Sequence, residues 1–140
     1  PSDSLLGTEQ EAWLYAELAA SDAPFKFIVD GSQFSQDSTE DSWAVYPEAW
    51  ERLRSTLATV PGVVLLSGDV HYSEMIWNSG LTYDIPELTS SPLAYPDRSN
   101  RFIGVEVDTT LADPTLTATI FDEDGTAVDV ETILLSQLQP

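Results

Sequence analysis

The strongest constraint on the fold is a short apolar run, Val63-Val64-Leu65-Leu66, which is bounded by Gly62 and Gly68. A run of this length without polar alternation is typical of a strand that is buried on both faces. Phe25–Val29 is a second apolar, aromatic and β-branched run of the same kind. Two such strands need covering layers on both sides, so the pattern predicts an α/β layer with parallel pairing.

Two helices are predicted in the N-terminal half. The first begins at Thr8-Glu9-Gln10-Glu11, where a capping box is predicted because the Thr8 hydroxyl and the Glu11 carboxylate can each accept a backbone N–H. It ends before Pro24, which cannot continue a helix. The second begins at Pro47 and stops at Pro61-Gly62. Their apolar faces are assigned to the core: Trp13, Leu14 and Leu18 in the first helix, and Trp50, Leu53, Leu57 and Val60 in the second.

The C-terminal half has the pattern of antiparallel strands. Turn signals at Asn78-Ser79-Gly80 and Asp122-Glu123-Asp124-Gly125 predict hairpins. The sequence therefore predicts an α/β fold with α+β character, as a single domain over residues 1–140, in which a mixed sheet system ends in antiparallel strands. The predicted strands of this half are Met75–Trp77, Tyr83–Leu88, Phe102–Val107, Leu116–Phe121 and Val128–Leu134.

Charge and composition limit the partners. The 24 acidic and 5 basic residues give a formal net charge of −19, which repels phosphate backbones and disfavours a nucleic-acid scaffold. The acidity favours solubility, and the alternative is that some carboxylates bind hard cations such as calcium. The chain has no cysteine for a thiolate metal site and no apolar stretch long enough to span a membrane. Because it begins at Pro1 and its only methionine is Met75, we expect that preceding sequence is missing.

The strongest candidate site is the segment from Ser67 to Glu74, directly after the Val63–Leu66 strand. Ligands of α/β sheets bind outside the carboxyl ends of strands. Asp69 and His71 are two residues apart, so in an extended segment their side chains point the same way. A carboxylate oxygen and an imidazole nitrogen suit iron, manganese or zinc. The alternative is that Asp69 caps a turn and His71 is an ordinary, partly buried histidine.

Four motifs, in order, resemble those of the PhoD-like (alkaline phosphatase D) family. Leu5–Leu14 is similar to the family's LG-x-x-Q-x-x-WL helix, and Asp41–Tyr46 to its D-x-W-x-x-Y loop. Ser67–His71 resembles its SGDVH element, and Glu87–Ser91 its ELTSS segment. The resemblance extends from Leu5 to about Gly125.

This resemblance implies the C-terminal half of a four-layer αββα sandwich of the calcineurin-like metallophosphoesterase type, with two stacked sheets flanked by helices. His71 would bind one metal ion, and Asp69 would bind or bridge to another. Two or more metal ions are expected, calcium and iron by the resemblance, with manganese or zinc as other possibilities. Many relatives carry a histidine after the preceding strand, where this chain has Asp30-Gly31-Ser32-Gln33. Gln33 is the nearest polar candidate there, and the alternative is that it makes a loop hydrogen bond.

The implied activity is hydrolysis of phosphate esters in a secreted or periplasmic protein. The family's N-terminal metal-binding motifs are absent, so this chain would need its N-terminal half as a partner and would be inactive by itself. Gln33, Trp43 and Tyr46 are candidates to contact substrate, although Trp43 and Tyr46 could instead hold their loop to the core. Glu74 could orient His71 or pair within the sheet. No general acid is assigned. Two alternatives remain: a non-catalytic structural or binding fragment, and an unrelated α/β binding domain.

Overall fold

Two helices and seven strands make up the fold in a computed structural model that describes residues 5–34, 42–79, 81–92 and 100–140. None of the described helices is long and apolar enough to cross a membrane. The elements in chain order are α1 (Thr8–Ala20), β1 (Lys26–Val29), α2 (Pro47–Leu57), β2 (Val63–Ser67), β3 (Ser73–Asn78), β4 (Ile85–Ser90), β5 (Arg101–Asp108), β6 (Thr115–Asp122) and β7 (Ala127–Leu134), with short 3₁₀ helices at Trp43–Val45 and Leu135–Gln137.

The first sheet has the strand order β1-β2-β4-β3. β2 runs parallel to both β1 and β4, and β3 is antiparallel to β4. The parallel pairing predicted from the two apolar runs is therefore confirmed. Val63, Val64 and Leu65 of β2 are fully buried, as predicted. The prediction that β1 is also buried on both faces is wrong, since Phe27 and Val29 are exposed on one face of this edge strand. Its register places Leu65 beside Glu87 of β4, so a carboxylate lies in the middle of the sheet.

The second sheet consists of β5, β6 and β7 and is antiparallel throughout. The hairpin predicted at Asp122–Gly125 is confirmed: the Gly125 N–H donates to the Asp122 carbonyl over 3.0 Å, and Gly125 has a φ of 78°. Leu116 and Ile133 of this sheet belong to the same core cluster as the β2 residues. The two sheets thus pack against each other, and the α/β class is confirmed, whereas the four-layer arrangement stays a prediction.

Helix α2 is buried as its periodicity predicts, but α1 is not. Leu53 and Leu57 have no exposed surface, and Trp50 packs against the core. In α1 only Leu18 is buried, and the Trp13 side chain is 59% exposed. The assignment of Trp13 to the core is therefore wrong. The reason is that α1 packs beside β1, which is the edge strand of its sheet in the described part of the chain. At this edge no further described element covers the Trp13 side chain.

The capping box predicted at the start of α1 is also wrong. The helix begins at Thr8 with Gly7 as its N-cap, and no side chain caps it. Glu11 instead forms an ion pair with Arg52 of α2, with 2.7 Å between Oε1 and Nε, and accepts a hydrogen bond from Tyr15. The hydrogen bond from Arg52 holds the pKa of Glu11 below its usual value. A charged partner on the neighbouring helix binds a carboxylate more strongly than a neutral backbone amide does.

We expect Gly62→Ala to lower the free energy of unfolding by roughly 3 kcal/mol or more. Gly62 has a φ of 73°, its carbonyl accepts the Lys26 N–H, and an added Cβ would overlap the Pro24 carbonyl oxygen. Gly125→Ala is the matched control, because Gly125 also has a positive φ but open space around it; it should cost only about 1–2 kcal/mol. Urea denaturation measures both, and equal losses would contradict the steric argument.

Candidate functional site

Three strand ends meet at one edge of the first sheet. β1, β2 and β4 run parallel, so their carboxyl ends share this edge, and the antiparallel β3 begins there. A Cβ added to Gly68, which follows β2, would lie 3.3 Å from the Gly31 carbonyl oxygen and 3.9 Å from that of Ser90. The segments that follow the three parallel strands therefore converge around Gly68. This is the position where ligands bind in open α/β sheets.

Asp69 and His71 lie in a tight turn at this edge rather than in an extended segment. The Val70 N–H donates to the Gly68 carbonyl over 3.0 Å, which closes a three-residue turn around Asp69. Asp69 has a φ of 71° and His71 a φ of 61°. The expectation of an extended segment is therefore wrong, and strand alternation does not govern the direction of the two side chains. The reason is that the chain reverses here to pass from β2 to β3.

These are the non-glycine residues with positive φ in the described part of the chain. Such a conformation costs about 1–3 kcal/mol per residue and is concentrated at functional sites. Asp69 is exposed and His71 is half-buried, so both side chains are close to solvent. No cluster of three or more His, Cys, Asp or Glu side chains suited to a metal ion occurs among the described residues. The metal-ligand roles of Asp69 and His71 remain predictions.

Gln33 is buried at the same edge, with only 1% of its surface exposed. Its Nε2 donates to Glu74 Oε1 over 2.7 Å and to Thr89 Oγ1 over 3.0 Å. Its Oε1 is buried and has no hydrogen-bond partner. Glu74 lies opposite Thr89 in the β3–β4 ladder. It therefore pairs within the sheet, which was one of the two roles that the sequence allowed for it. Gln33 thus connects the segment after β1 to both of these strands.

Glu87 is a fully buried carboxylate that the sequence analysis did not assign to the site. Its Oε1 accepts hydrogen bonds from Ser67 Oγ over 2.7 Å and from the Phe34 N–H over 2.8 Å. Its Oε2 accepts a longer bond, 3.3 Å, from Asn78 Nδ2. A charged residue inside an otherwise apolar strand must find such donors. The sequence Ile85-Pro86-Glu87-Leu88 has this pattern, so Glu87 could have been identified from it. Glu87 holds the β1 loop, the end of β2 and β3 together.

The Ser67 and Thr89 hydroxyls are 2.8 Å apart and join these two groups into one network. The network runs from Glu74 through Gln33 to Thr89, then through Ser67 to Glu87. Ser67 immediately precedes Gly68, so its hydrogen bonds to Glu87 and Thr89 fix the start of the turn that contains Asp69 and His71. We describe these hydrogen-bonded side chains as the edge network: Gln33, Ser67, Glu74, Asn78, Glu87 and Thr89.

Trp43 and Tyr46 differ in exposure. Trp43 is 3% exposed, stacks on Phe34 with 5.5 Å between ring centroids, and donates its backbone N–H to the Gln33 carbonyl. It therefore holds its loop to the core, as the alternative interpretation had it. Tyr46 is 38% exposed and remains accessible. Residues 35–41 of the predicted loop, with Asp41 of its motif, lie outside the described residues, as do Gly80 of the first hairpin signal and residues 93–99.

The model of the PhoD-like phosphatase family matches residues 1–128, which include the whole edge network and both turn residues. This chain belongs to the PhoD-like phosphatase family. The resemblance inferred from the four motifs is thereby confirmed. The PhoD-like chain is also 36% identical over 104 residues to alkaline phosphatase D of Bacillus subtilis (strain 168). That similarity covers 66% of this chain and 17% of the length of the relative.

Proposed function

We propose that this PhoD-like chain supplies one side of a metal-dependent site for phosphate ester hydrolysis in the full-length protein, with Asp69 and His71 as metal ligands. The observation that supports this most is the turn after β2. Two non-glycine residues with positive φ present a carboxylate and an imidazole where three strand ends converge. Backbone strain of about 1–3 kcal/mol per residue persists where the surrounding structure enforces it, and the edge network provides such a support.

The donor types fit metal ions. Imidazole nitrogen suits iron, manganese and zinc, and carboxylate oxygen suits these as well as calcium. Iron and calcium are proposed from the family resemblance, with manganese or zinc as substitutes. Bound ions would polarise the phosphoryl group and lower the pKa of a bound water. A dinuclear site needs more ligands than Asp69 and His71, and we propose that they come from the N-terminal half.

The accessible groups of this chain would act on the substrate from around the turn. Tyr46 is exposed and can donate its hydroxyl hydrogen to a phosphate oxygen. Trp43 would act indirectly. Its ring stacks on Phe34 and so fixes the loop that leads to Tyr46. Gln33 is buried, so it would act indirectly, by holding the segment after β1 to Glu74 and Thr89. No group in this chain is proposed as the general acid.

We propose that the N-terminal half covers α1 and the edge of β1 with which none of the described strands pairs. Phe27 and Val29 of β1 are 41% and 72% exposed, and Trp13 of α1 is exposed beside them. An unpaired strand edge with exposed apolar side chains favours addition of another strand. The similarity to the Bacillus subtilis relative spans only 17% of that protein, which leaves ample sequence for such a partner. Export from the cytoplasm is proposed from the resemblance alone, and fractionation of cells that express the full-length protein tests it.

The alternative function is that of a non-catalytic fragment that only stabilises or binds its partner half. The lack of a three-ligand cluster among the described residues favours it for the isolated chain. In that case the full-length protein would hydrolyse phosphate esters at the same rate whatever stands at positions 69 and 71.

We expect the chain by itself to be catalytically silent. With only the two proposed ligands, Asp69 and His71, a divalent ion stays mostly hydrated. Its bound water then keeps a pKa above the value of about 7 that closed catalytic sites reach. The test compares the full-length protein with the chain on a chromogenic phosphate monoester and diester, with calcium, iron, manganese or zinc added. Metal-dependent turnover by the chain that is lost in His71→Ala would show that the ligand set is complete within it.

A further inference from the structure

Arg101 has a buried guanidinium nitrogen without a partner among the described residues. It is the first residue of β5 and is half-buried, and its Nε is enclosed without a hydrogen-bond acceptor. It forms no ion pair with a carboxylate of the described residues. Because an arginine in a protein stays charged and only donates hydrogen bonds, a buried N–H of this kind requires an acceptor, and an anion is the best one.

Ser73 provides a second unpartnered donor, which faces the second sheet. Its Oγ is buried and forms no hydrogen bond within the described part of the chain. Ser73 and Trp77 are four residues apart on β3, so their side chains point to the same face of the first sheet. Trp77 Nε1 donates to Glu131 of β7 over 2.7 Å, so this face is turned to the second sheet. The Ser73 hydroxyl therefore lies between the two sheets.

Arg101 points into the same space from the second sheet. It is two residues before Ile103, which packs against the core, and the two side chains share a face of β5. Ser90 lies opposite Ser73 in the β3–β4 ladder, and its Oγ accepts the Ile103 N–H over 3.3 Å. This bond holds the start of β5 against the start of β3. The guanidinium group and the two serine hydroxyls therefore converge at this end of the sheets.

Asp122 is the carboxylate that could neutralise Arg101 instead, because it lies directly opposite in the β5–β6 ladder. Its Oδ1 accepts the N–H groups of Asp124 and Thr126 in the following turn, over 3.1 and 2.8 Å. It makes no ion pair with Arg101. The turn thus fixes the Asp122 carboxylate, and the guanidinium group keeps its capacity to bind an anion from solution.

The position of these donors indicates which anion they bind. Ser73 follows His71 by two residues, so the two Cα atoms are at most about 7 Å apart. Guanidinium groups bind phosphate through two parallel N–H···O bonds, and each hydroxyl can donate one more. A phosphate monoester has three unesterified oxygens and carries close to two negative charges at neutral pH. A diester has one such oxygen and one charge fewer, so it fits these donors less well.

We propose that Arg101, with the Ser73 and Ser90 hydroxyls, binds the phosphate group of the substrate and selects monoesters over diesters. The inference rests on the proposed hydrolysis at Asp69 and His71. Arg101 determines specificity in this arrangement, and Ser90 also positions it by holding the start of β5.

Steady-state kinetics of the full-length protein on a chromogenic phosphate monoester and diester test the proposal. Arg101→Gln should lower kcat/KM by about 10- to 100-fold for the monoester, and by clearly less for the diester. Arg101→Lys keeps the charge but not the planar fork, and should recover part of the loss. Arg54→Gln is the matched control, since Arg54 is also half-buried but contacts Ser79 beyond the far end of β3. It should leave both esters unchanged.

Calorimetric binding of inorganic phosphate to the same proteins separates this inference from the proposed function. If the wild-type protein hydrolyses neither ester, the proposed function fails, and a phosphate affinity about tenfold or more weaker in Arg101→Gln still supports the anion site. If hydrolysis depends on His71, either an unchanged phosphate affinity or an unchanged ratio of monoester to diester kcat/KM in Arg101→Gln overturns the inference alone.

Two further variants cover the remaining outcomes. Ser73→Ala removes a single oxygen and decides the matter if Arg101→Gln does not fold: phosphate should bind a few-fold more weakly, and an unchanged affinity contradicts the site. Asp122→Asn keeps the acceptor oxygen of the turn and should leave phosphate affinity unchanged or higher. A loss as large as that in Arg101→Gln would assign Arg101 to Asp122 and overturn the proposal.

Discussion

Replacing His71 with asparagine in the full-length protein is expected to lower kcat/KM for a phosphate ester by more than about 100-fold, because even the outer partners of metal ligands are worth about 10–100-fold. Its Tm should hardly change. Asparagine tolerates a positive φ about as well as histidine does, so the turn at φ 61° is kept while the imidazole is lost. His71→Ala should lose the same activity and also about 1 kcal/mol of stability, since alanine is strained there.

Asp69→Asn should give a similar loss of activity, because an amide is a weaker metal ligand than a carboxylate and keeps the same backbone preference. The matched control is Asp129→Asn, an exposed position on β7, far along the chain from the turn. Steady-state turnover of a chromogenic ester is measured beside thermal melting, with metals replete. Wild-type turnover in both His71→Asn and Asp69→Asn would remove these residues from the site and leave the non-catalytic alternative.

Replacing Glu87 with leucine is expected to lower the free energy of unfolding by about 3 kcal/mol or more, since three buried donors lose their acceptor at about 1–3 kcal/mol each. Those donors are the Ser67 hydroxyl, the Phe34 N–H and the Asn78 amide. Glu87→Gln should cost less, because one acceptor oxygen remains. Urea denaturation of the chain gives the values.

Glu106→Gln is the control for Glu87, because Glu106 is an exposed carboxylate on β5; its effect should stay within about 0.5 kcal/mol. Buried polar groups can sometimes be replaced by apolar ones without loss when all partners are replaced together. Here the donors would remain. A Glu87→Leu chain as stable as the wild type would therefore mean that the donors find other acceptors and that Glu87 does not hold the three segments together.

Several features of this protein follow from local sequence. The apolar runs Phe25–Val29 and Val63–Leu66 predicted parallel strands, and β1 and β2 pair in this way. The spacing of Leu53 and Leu57 predicted the buried face of α2. Strand and helix periodicity are properties of neighbouring residues, so they can be predicted without a structure. Burial on both faces holds for Val63–Leu65 but was wrong for β1, where Phe27 and Val29 are exposed because no described element covers that face of the edge strand. The four motifs likewise identified the family, whereas the site around Gly68 stays a prediction.

Other features were decided by tertiary structure, because they depend on residues that are distant in the chain. Gln33 is 41 residues from Glu74 and 56 from Thr89, and only the folded sheet makes the amide oxygen its free atom. The contact between Glu11 and Arg52, also 41 residues apart, replaced the predicted capping box. The exposure of Trp13 depends on which strand forms the sheet edge. The strain at Asp69 and His71 arises from the return of the chain to β3, a path that local propensity does not specify.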